Sequence, residues 1–568
     1  MTAPAPLHRT AGLLVPVFAL RHAADLGIGD TRAVREAVDF CAQQRLAVLQ
    51  LLPIHETVGD HSPYNPISAR ALEPAYLALE PGAVPGLTAE MLEAAAPTAW
   101  VAQLRSGKVK HNSVHALKLQ ILLAAHRAFT AQPGDEALVA EFQRFREQQE
   151  DWLRPYTLFR LLVREYEGNP NWAEWRPEHQ TLATAEAWFA RHPDQAQLAR
   201  VREGLAFVQW VAWRQWNALR EHASAKGVRL MGEMSYGVGR CSVDVWANPD
   251  LFDFEWYVGT GPIAYFDTNK DSERWGQNWG LPPYRWENHR STGFAWLRGR
   301  VAGERQFFHI CRLDHLRGYF RAHMFPWPGG VIHTEFATLT AEQAKLRTGG
   351  RLPRYVPGPD EDPVTARMND LQGRELIGVV QQAAGDMELF AELMGDMPDY
   401  MRRALDDLHL ANLTFPQMER NADRTLRPPE TFRALSLATY ATHDHAPIAA
   451  VYAGLLEDAA KDPGGVAATD LKELLAFAGW TAAPPPTLTD ELHAALVRAL
   501  FATPCELAVL LSSDLLGIPQ RFNLPGTYGA GTWAERLEFP LPEFRAHGVY
   551  GRRLEHVSQL VDETGRAP

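Results

Sequence analysis

Several stretches of this chain begin apolar and end abruptly in charge, and no other feature restricts the possible folds as much. The clearest is Phe307–Phe320, FFHICRLDHLRGYF. Phe307–Cys311 is apolar except for His309 and short enough for a buried strand; Arg312, Asp314, His315 and Arg317 follow at once. A buried parallel strand that turns ionisable at its C-terminal end is the pattern of a barrel whose strand ends line a reaction site. Met387–Glu392 repeats the pattern and ends in Glu392; Leu435–Asp444 ends in His443 and Asp444. Leu13–Leu20, Leu46–Pro53, Val228–Met234, Leu408–Phe415 and Cys505–Leu511 complete a set of strand candidates. Asp30 and Thr31 cap a helix running to about Arg45 between the first two, which makes a βαβ unit and hence a parallel sheet. Eight such strands predict a (β/α)8 TIM barrel, class α/β, with long loops on the catalytic face.

A barrel needs about 250 residues, and the chain has 568. It reads as one catalytic barrel over 1–568 that carries insertions. Helical patterns at Ser113–Phe129, Asp135–Gln149, Trp152–Glu167 and Leu205–Lys226 make 80–227 an inserted helical subdomain between strands two and three. Residues 252–300 form an aromatic-rich insertion. Within it Trp275–Trp286 holds three Trp and a Tyr, and its Gly and Pro exclude a regular helix, so these rings are expected on a sugar-stacking loop. Residues 329–380 read as a loop insertion between strands four and five, Gly- and Pro-rich over Gly329–Thr365 and suited to a lid.

Net charge is −12, which argues against nucleic acid or an anionic membrane as partner. Cys41, Cys241, Cys311 and Cys505 are scattered without a CxxC pair, which disfavours zinc ribbons and disulfide frameworks and makes a reducing, cytoplasmic setting the expectation. No run of 18 apolar residues occurs, so no membrane-spanning helix is expected. There is no GxxxxGK[ST], and Gly237-Val-Gly239 lacks the full dinucleotide pattern.

Three strand ends carry acids, and parallel barrel strands converge on one mouth. Cleaving a glycosidic bond needs one ionised and one protonated carboxyl. Arg312, two residues from Asp314 on the same strand face, is expected to hold Asp314 ionised as a nucleophile. Glu392, flanked by Ala391, Leu393 and Met394, is expected to be raised by apolar surroundings and to serve as general acid. Asp444 could bond sugar hydroxyls. His443, Asp444 and His445, with His315 and Asp314, are also metal-ligand types, but on a strand Asp444 would face away from the two histidines, leaving few converging ligands.

Eight short pieces in order are similar to the amylomaltases, or 4-α-glucanotransferases (disproportionating enzymes), of the α-amylase superfamily of retaining enzymes. They are GIGD (27–30), SPYNPIS (62–68), DVWANPDLF (244–252), WGQNWGLPPYRW (275–286), RLDHLRGYF (312–320), AELMGD (391–396), ATHDH (441–445) and NLPGT (523–527). The resemblance implies Asp314 as nucleophile, Glu392 as acid/base and Asp444 as transition-state stabiliser. Arg312, His443, Tyr64, Gln277, Trp279 and Asn523 fall at its substrate-binding positions. It implies α-1,4-glucans as substrates, and neither metal nor organic cofactor. The chain departs from the family pattern at Cys241, Leu393 and His445. A glucan hydrolase on the same scaffold and a non-catalytic glucan-binding protein are the alternatives.

Overall fold

The computed structural model describes residues 9–59, 61–131, 134–262, 275–327, 336, 338–394, 397–421, 423–525 and 532–568. Eight parallel strands close into a barrel: β1 (Thr10–Leu14), β2 (Val48–Gln50), β3 (Arg229–Met234), β6 (Ile310–Leu313), β9 (Glu388–Ala391), β10 (Ala411–Thr414), β11 (Ser436–Ala438) and β12 (Leu507–Leu511). Neighbours around the barrel follow chain order, and β1 pairs with β12 to close it. This is a (β/α)8 barrel, and each strand overlaps its sequence-read counterpart. The first is displaced: Leu13–Leu20 contains only the end of β1, because Val17–Ala19 winds into a 3-10 turn after Pro16. β12, LAVLL, is buried at every position, as a strand enclosed by helices requires.

Register sets the site. β3 and β6 place Glu233 opposite Arg312, and β6 and β9 place Leu313 opposite Ala391. Asp314 and Glu392, one residue beyond, therefore leave adjacent strands at the same height. Asp30 caps the first barrel helix, Thr31–Gln43, by accepting from the amides of Arg32 and Ala33 at 3.1 and 3.3 Å.

Between β2 and β3 the chain forms a run of helices, including His111–Ala131, Glu136–Gln148 and Glu150–Glu165, and returns through the 31-residue helix Gln195–Ala225. Rings of Phe129, Phe142, Phe207 and Trp210 pack at its centre, Phe142 and Trp210 with centroids 5.2 Å apart.

A second sheet was not visible in the sequence. β4 (Trp256–Thr260), β5 (Gln277–Leu281), β7 (Ala322–Pro326) and β8 (Arg354–Val356) pair antiparallel in the order β5-β4-β7-β8. It has its own small core of Tyr257, Phe325, Phe336, Leu339 and Ala344. The stretch expected to be an aromatic loop thus contains an edge strand. Trp275 donates from Nε1 to the Leu339 carbonyl at 2.8 Å, and Trp286 packs on Tyr284, so of the three Trp only Trp279 reaches the barrel mouth. Residues 329–380 hold the helix Ala341–Thr348, β8 and most of the barrel helix Pro363–Ala384. Residues 263–274 of the aromatic-rich insertion and 329–335 and 337 of the expected lid lie outside the described residues, as do 395–396 and 526–527 of the family-like pieces. Among the described residues no helix is long and apolar enough to cross a membrane.

Candidate active site

The barrel mouth gathers one continuous polar network. Arg312, fully buried on β6, extends one guanidinium nitrogen to Glu233 Oε1 and sets Nη2 3.0 Å from Glu392 Oε1. Glu392 Oε2 accepts from the backbone amide of His315 at 2.7 Å. Asp314 Oδ2 accepts from the amide of Tyr236 at 3.0 Å, and Glu392 is the neighbouring carboxyl on the next strand. On the far side Tyr64 donates to Glu233 Oε1 at 2.6 Å, lies 3.4 Å from His443 Nδ1 and stacks on the His443 ring at 5.0 Å. His443 Nε2 is 3.1 Å from Asp444 Oδ2, while Asn523 Nδ2 donates to Asp444 Oδ1 at 2.6 Å. Asn523 is itself oriented by the Thr532 hydroxyl, which donates to its Oδ1 at 2.8 Å.

Asp314, Glu392, Asp444, Arg312, His443, Tyr64 and Asn523 therefore meet. Gln277 and Trp279 reach the same centre from β5: Trp279 donates to Gln277 Oε1 at 3.3 Å, and its ring meets His315 edge-on at 4.7 Å.

The charge pattern differs from the sequence expectation. Arg312 pairs with Glu233 and Glu392, not with Asp314. Burial raises the Asp314 carboxyl well above the usual carboxylate range, and the neighbouring Glu392 and Glu233 charges add to this. Burial also opposes ionisation of Glu392, but Arg312, the contact with Asp314 and the His315 amide overcome it and hold Glu392 low. The two neighbouring carboxyls are thus pushed apart, Asp314 toward its protonated form and Glu392 toward its ionised form. Alternation along one strand placed Arg312 beside Asp314; partners on neighbouring strands decided otherwise.

Asp444 is lowered despite its burial, chiefly by His443 and Asn523. The expectation that Asp444 faces away from the histidines fails because β11 stops at Ala438 and leaves 443–445 in a loop. Of the departures from the family pattern, Leu393 is buried and Cys241 is a half-buried thiol raised by burial.

Sequence reasoning missed four contributors. Glu233 ends β3 within VRLMGEM, the same apolar-to-acid ending that revealed the other acids. Tyr236 supplies its amide to Asp314, and Trp533 lies 5.6 Å from the His443 ring and 5.7 Å from that of Tyr64. Arg521 donates to the Asp444 carbonyl at 2.9 Å. Backbone donors and loop rings leave no periodic signal.

A closed (β/α)8 barrel with paired carboxyls at its mouth defines a barrel enzyme of the kind that acts on glycosidic bonds. The sequence pattern of the 4-alpha-glucanotransferases matches residues 15–541, and the chain belongs to that family. The 4-alpha-glucanotransferase of Synechocystis is 26% identical over 573 residues, covering 96% of this chain and 99% of that one. That of Thermus thermophilus is 31% identical over 319 residues, 55% of this chain and 59% of the other. The amylomaltase of Streptococcus agalactiae, solved in complex with acarbose, superimposes with a TM-score of 0.73 at 20% identity, over 99% of this chain and 100% of that one. The amylomaltase of Corynebacterium glutamicum gives 0.75 at 20%, over 97% and 75%. These likenesses extend the shared fold to nearly the whole chain.

Proposed function

We propose that this 4-alpha-glucanotransferase moves α-1,4-glucan segments between maltodextrins by a retaining double displacement. A carboxylate oxygen of Asp314 attacks the anomeric carbon while Glu392 gives its proton to the departing glycosidic oxygen, leaving a β-glucosyl ester on Asp314. Glu392, now a carboxylate, takes the proton of an acceptor 4-hydroxyl, whose oxygen displaces Asp314 and restores an α-1,4 bond. Asp444, held ionised, steadies the positive charge that develops on the ring in the transition state of each step.

The observation that carries this reading is the register of β6 and β9, which sets Asp314 and Glu392 on adjacent strands at the same height, with Glu392 held by Arg312 Nη2 at 3.0 Å and by the His315 amide at 2.7 Å. Adjacent strands lie about 4.7–4.9 Å apart, nearer the spacing of a retaining pair, about 5–5.5 Å, than the roughly 6.5–9.5 Å that an inverting pair needs for its water. Bound sugar must turn the proton balance round, placing the proton on Glu392 and leaving Asp314 as the anion. The Trp279, Tyr64 and Trp533 rings offer stacking faces for neighbouring sugars.

Incubation with maltotriose tests the proposal. Longer maltodextrins with released glucose are the expected products, and Asp314→Asn should lower turnover by a factor on the order of 10⁴ or more. Glucose and maltose alone, with rising reducing ends, would instead make the chain a hydrolase. Turnover surviving in Asp314→Asn would remove Asp314 as nucleophile.

A further inference from the structure

Glu233 has no part in the displacement written above, yet it is only 1% exposed at the centre of the network. It is the register partner of Arg312 on the adjacent strand. Its Oε1 takes both the Arg312 guanidinium and the Tyr64 hydroxyl. Its Oε2 is buried without a hydrogen-bond partner among the described residues. An ionised carboxylate so enclosed is costly unless its charge is matched, and Arg312 supplies the match. Arg312 in turn has no solvent to turn toward: one nitrogen is committed to Glu233, which leaves Nη2 for Glu392.

We propose that Glu233 is a positioning residue of the transfer reaction: one of its oxygens anchors an edge of Arg312, so that the other edge meets Glu392, and the same oxygen holds the Tyr64 hydroxyl beside His443. This rests on the reading of Asp314 and Glu392 as the reacting pair. The effect has two parts of the same sign. Glu233 draws guanidinium charge away from the pair, and its own negative charge stands beside Asp314. Both strengthen the pair's hold on its proton. The Tyr64 hydroxyl moderates this by neutralising part of the Glu233 charge, which ties the loop after β2 to the proton balance of the site.

Other charged and titratable groups face the cluster. Glu304, on the helix Ala295–Phe307, and Cys311 on β6 lie close enough to feel Glu233. His315, Asp444 and His445 face Glu392. None of them contacts both Arg312 and Tyr64 as Glu233 does.

The test is kcat/KM for maltotriose against pH in the full-length chain. In Glu233→Gln the alkaline limb, set by loss of the reacting pair's proton, should move down by about one pH unit, since a like charge that raises Asp314 is removed. In Tyr64→Phe, which keeps the ring and removes the donor, the limb should move up. Glu233→Asp, which keeps the charge, should return the limb toward its original position. A merely structural Glu233 would lower activity and thermal stability with every limb in place, and that result would overturn the proposal. If Glu233→Gln does not fold, as judged by circular dichroism, the Tyr64→Phe and Glu233→Asp limbs decide, and a Tyr64→Phe limb that stays or falls overturns it. Asp314→Asn separates the two levels: an active Asp314→Asn defeats the underlying reading, whereas a dead one with unmoved limbs in the Glu233 variants defeats only the role of Glu233.

Discussion

The backbone amide of His315 donates to Glu392 Oε2 at 2.7 Å, and His315 does so from a left-handed φ of 44°. The turn just after β6 thus aims a main-chain donor from one barrel strand at the carboxylate of the next. Left-handed backbone costs a non-glycine residue about 1–2 kcal/mol, and the packing of the His315 ring against Trp279 and Tyr236 offsets it. His315→Gly should keep the amide contact and relieve the strain, whereas His315→Ala loses the ring and keeps the strain. Denaturant unfolding should place the glycine variant about 1 kcal/mol above the alanine variant. Both should raise KM through a loosened Trp279, and equal stabilities would contradict the strain argument.

Asp444 is ionised against its burial by two partners, His443 and Asn523. Removing one donor to a buried charge costs about 1.5–3 kcal/mol, which is about one to two pH units. The sign follows from the role proposed for Asp444: it must be charged, and Asn523→Ala raises its pKa. The acidic limb of kcat/KM should therefore move to higher pH, with the alkaline limb unchanged. A shift of the alkaline limb alone would assign Asn523 to the other carboxyls.

The sequence revealed the barrel because each strand carries its own signal, an apolar run closed by a polar end, as in ICRLD and ELFAE. The acids were legible for the same reason. Their proton balance was not, because it depends on Glu233 facing Arg312 across two strands that 75 residues of helix, sheet and loop separate (from Met234 to Ile310). The antiparallel sheet stayed hidden because its strands come from separate stretches of 256–356 and pair out of chain order. QNWGL offers no alternation strong enough to outweigh the Gly and Pro around it. Trp275, Trp279 and Trp286 looked equivalent, and only packing distinguishes the one at the mouth from the two that fill cores.

Glu304 gives a stability test away from the chemistry. Burial raises its carboxyl to about 8, and Oε1 lies 3.4 Å from Nε2 of His55, an imidazole that burial pushes down to about 3. The folded chain keeps this proton while the unfolded chain releases it at an ordinary carboxyl pKa. A raised group contributes stability that is complete below the unfolded value and drains away as pH climbs toward the folded one. The window here runs from about 4.5 to 8. Glu304→Gln cannot ionise and keeps a donor for His55, so it should gain on the parent across that window, by at most about 1.4 kcal/mol per pH unit. Thermal midpoints at pH 5, 6.5 and 8 would show it, and a difference independent of pH would mean that Glu304 is already ionised in the fold.

Gly259 controls whether β5 can carry Gln277 and Trp279 to the site. β4 and β5 slip register between Val258 and Gly259, and at that point the strands come very close. A Cβ on Gly259 would lie 1.8 Å from the Gln277 carbonyl oxygen and 2.8 Å from the Phe325 ring. The first neighbour is backbone and cannot rotate away, so Gly259→Ala must push β5 off the sheet edge. The Asp314 and Glu392 carboxyls sit at barrel strand ends and do not depend on that edge. KM for maltotriose should rise about tenfold or more, the loss expected when stacking and hydrogen bonding to one sugar are removed, while kcat stays within a few-fold. Gly378→Ala is the control: nothing lies within 4 Å of its added Cβ, in the interior of the helix Pro363–Ala384, and it should stabilise by about 0.5–1 kcal/mol with unchanged kinetics. A Gly259→Ala enzyme with unchanged KM and reduced kcat would show that β5 acts on the reacting carboxyls and not on the sugar beside them.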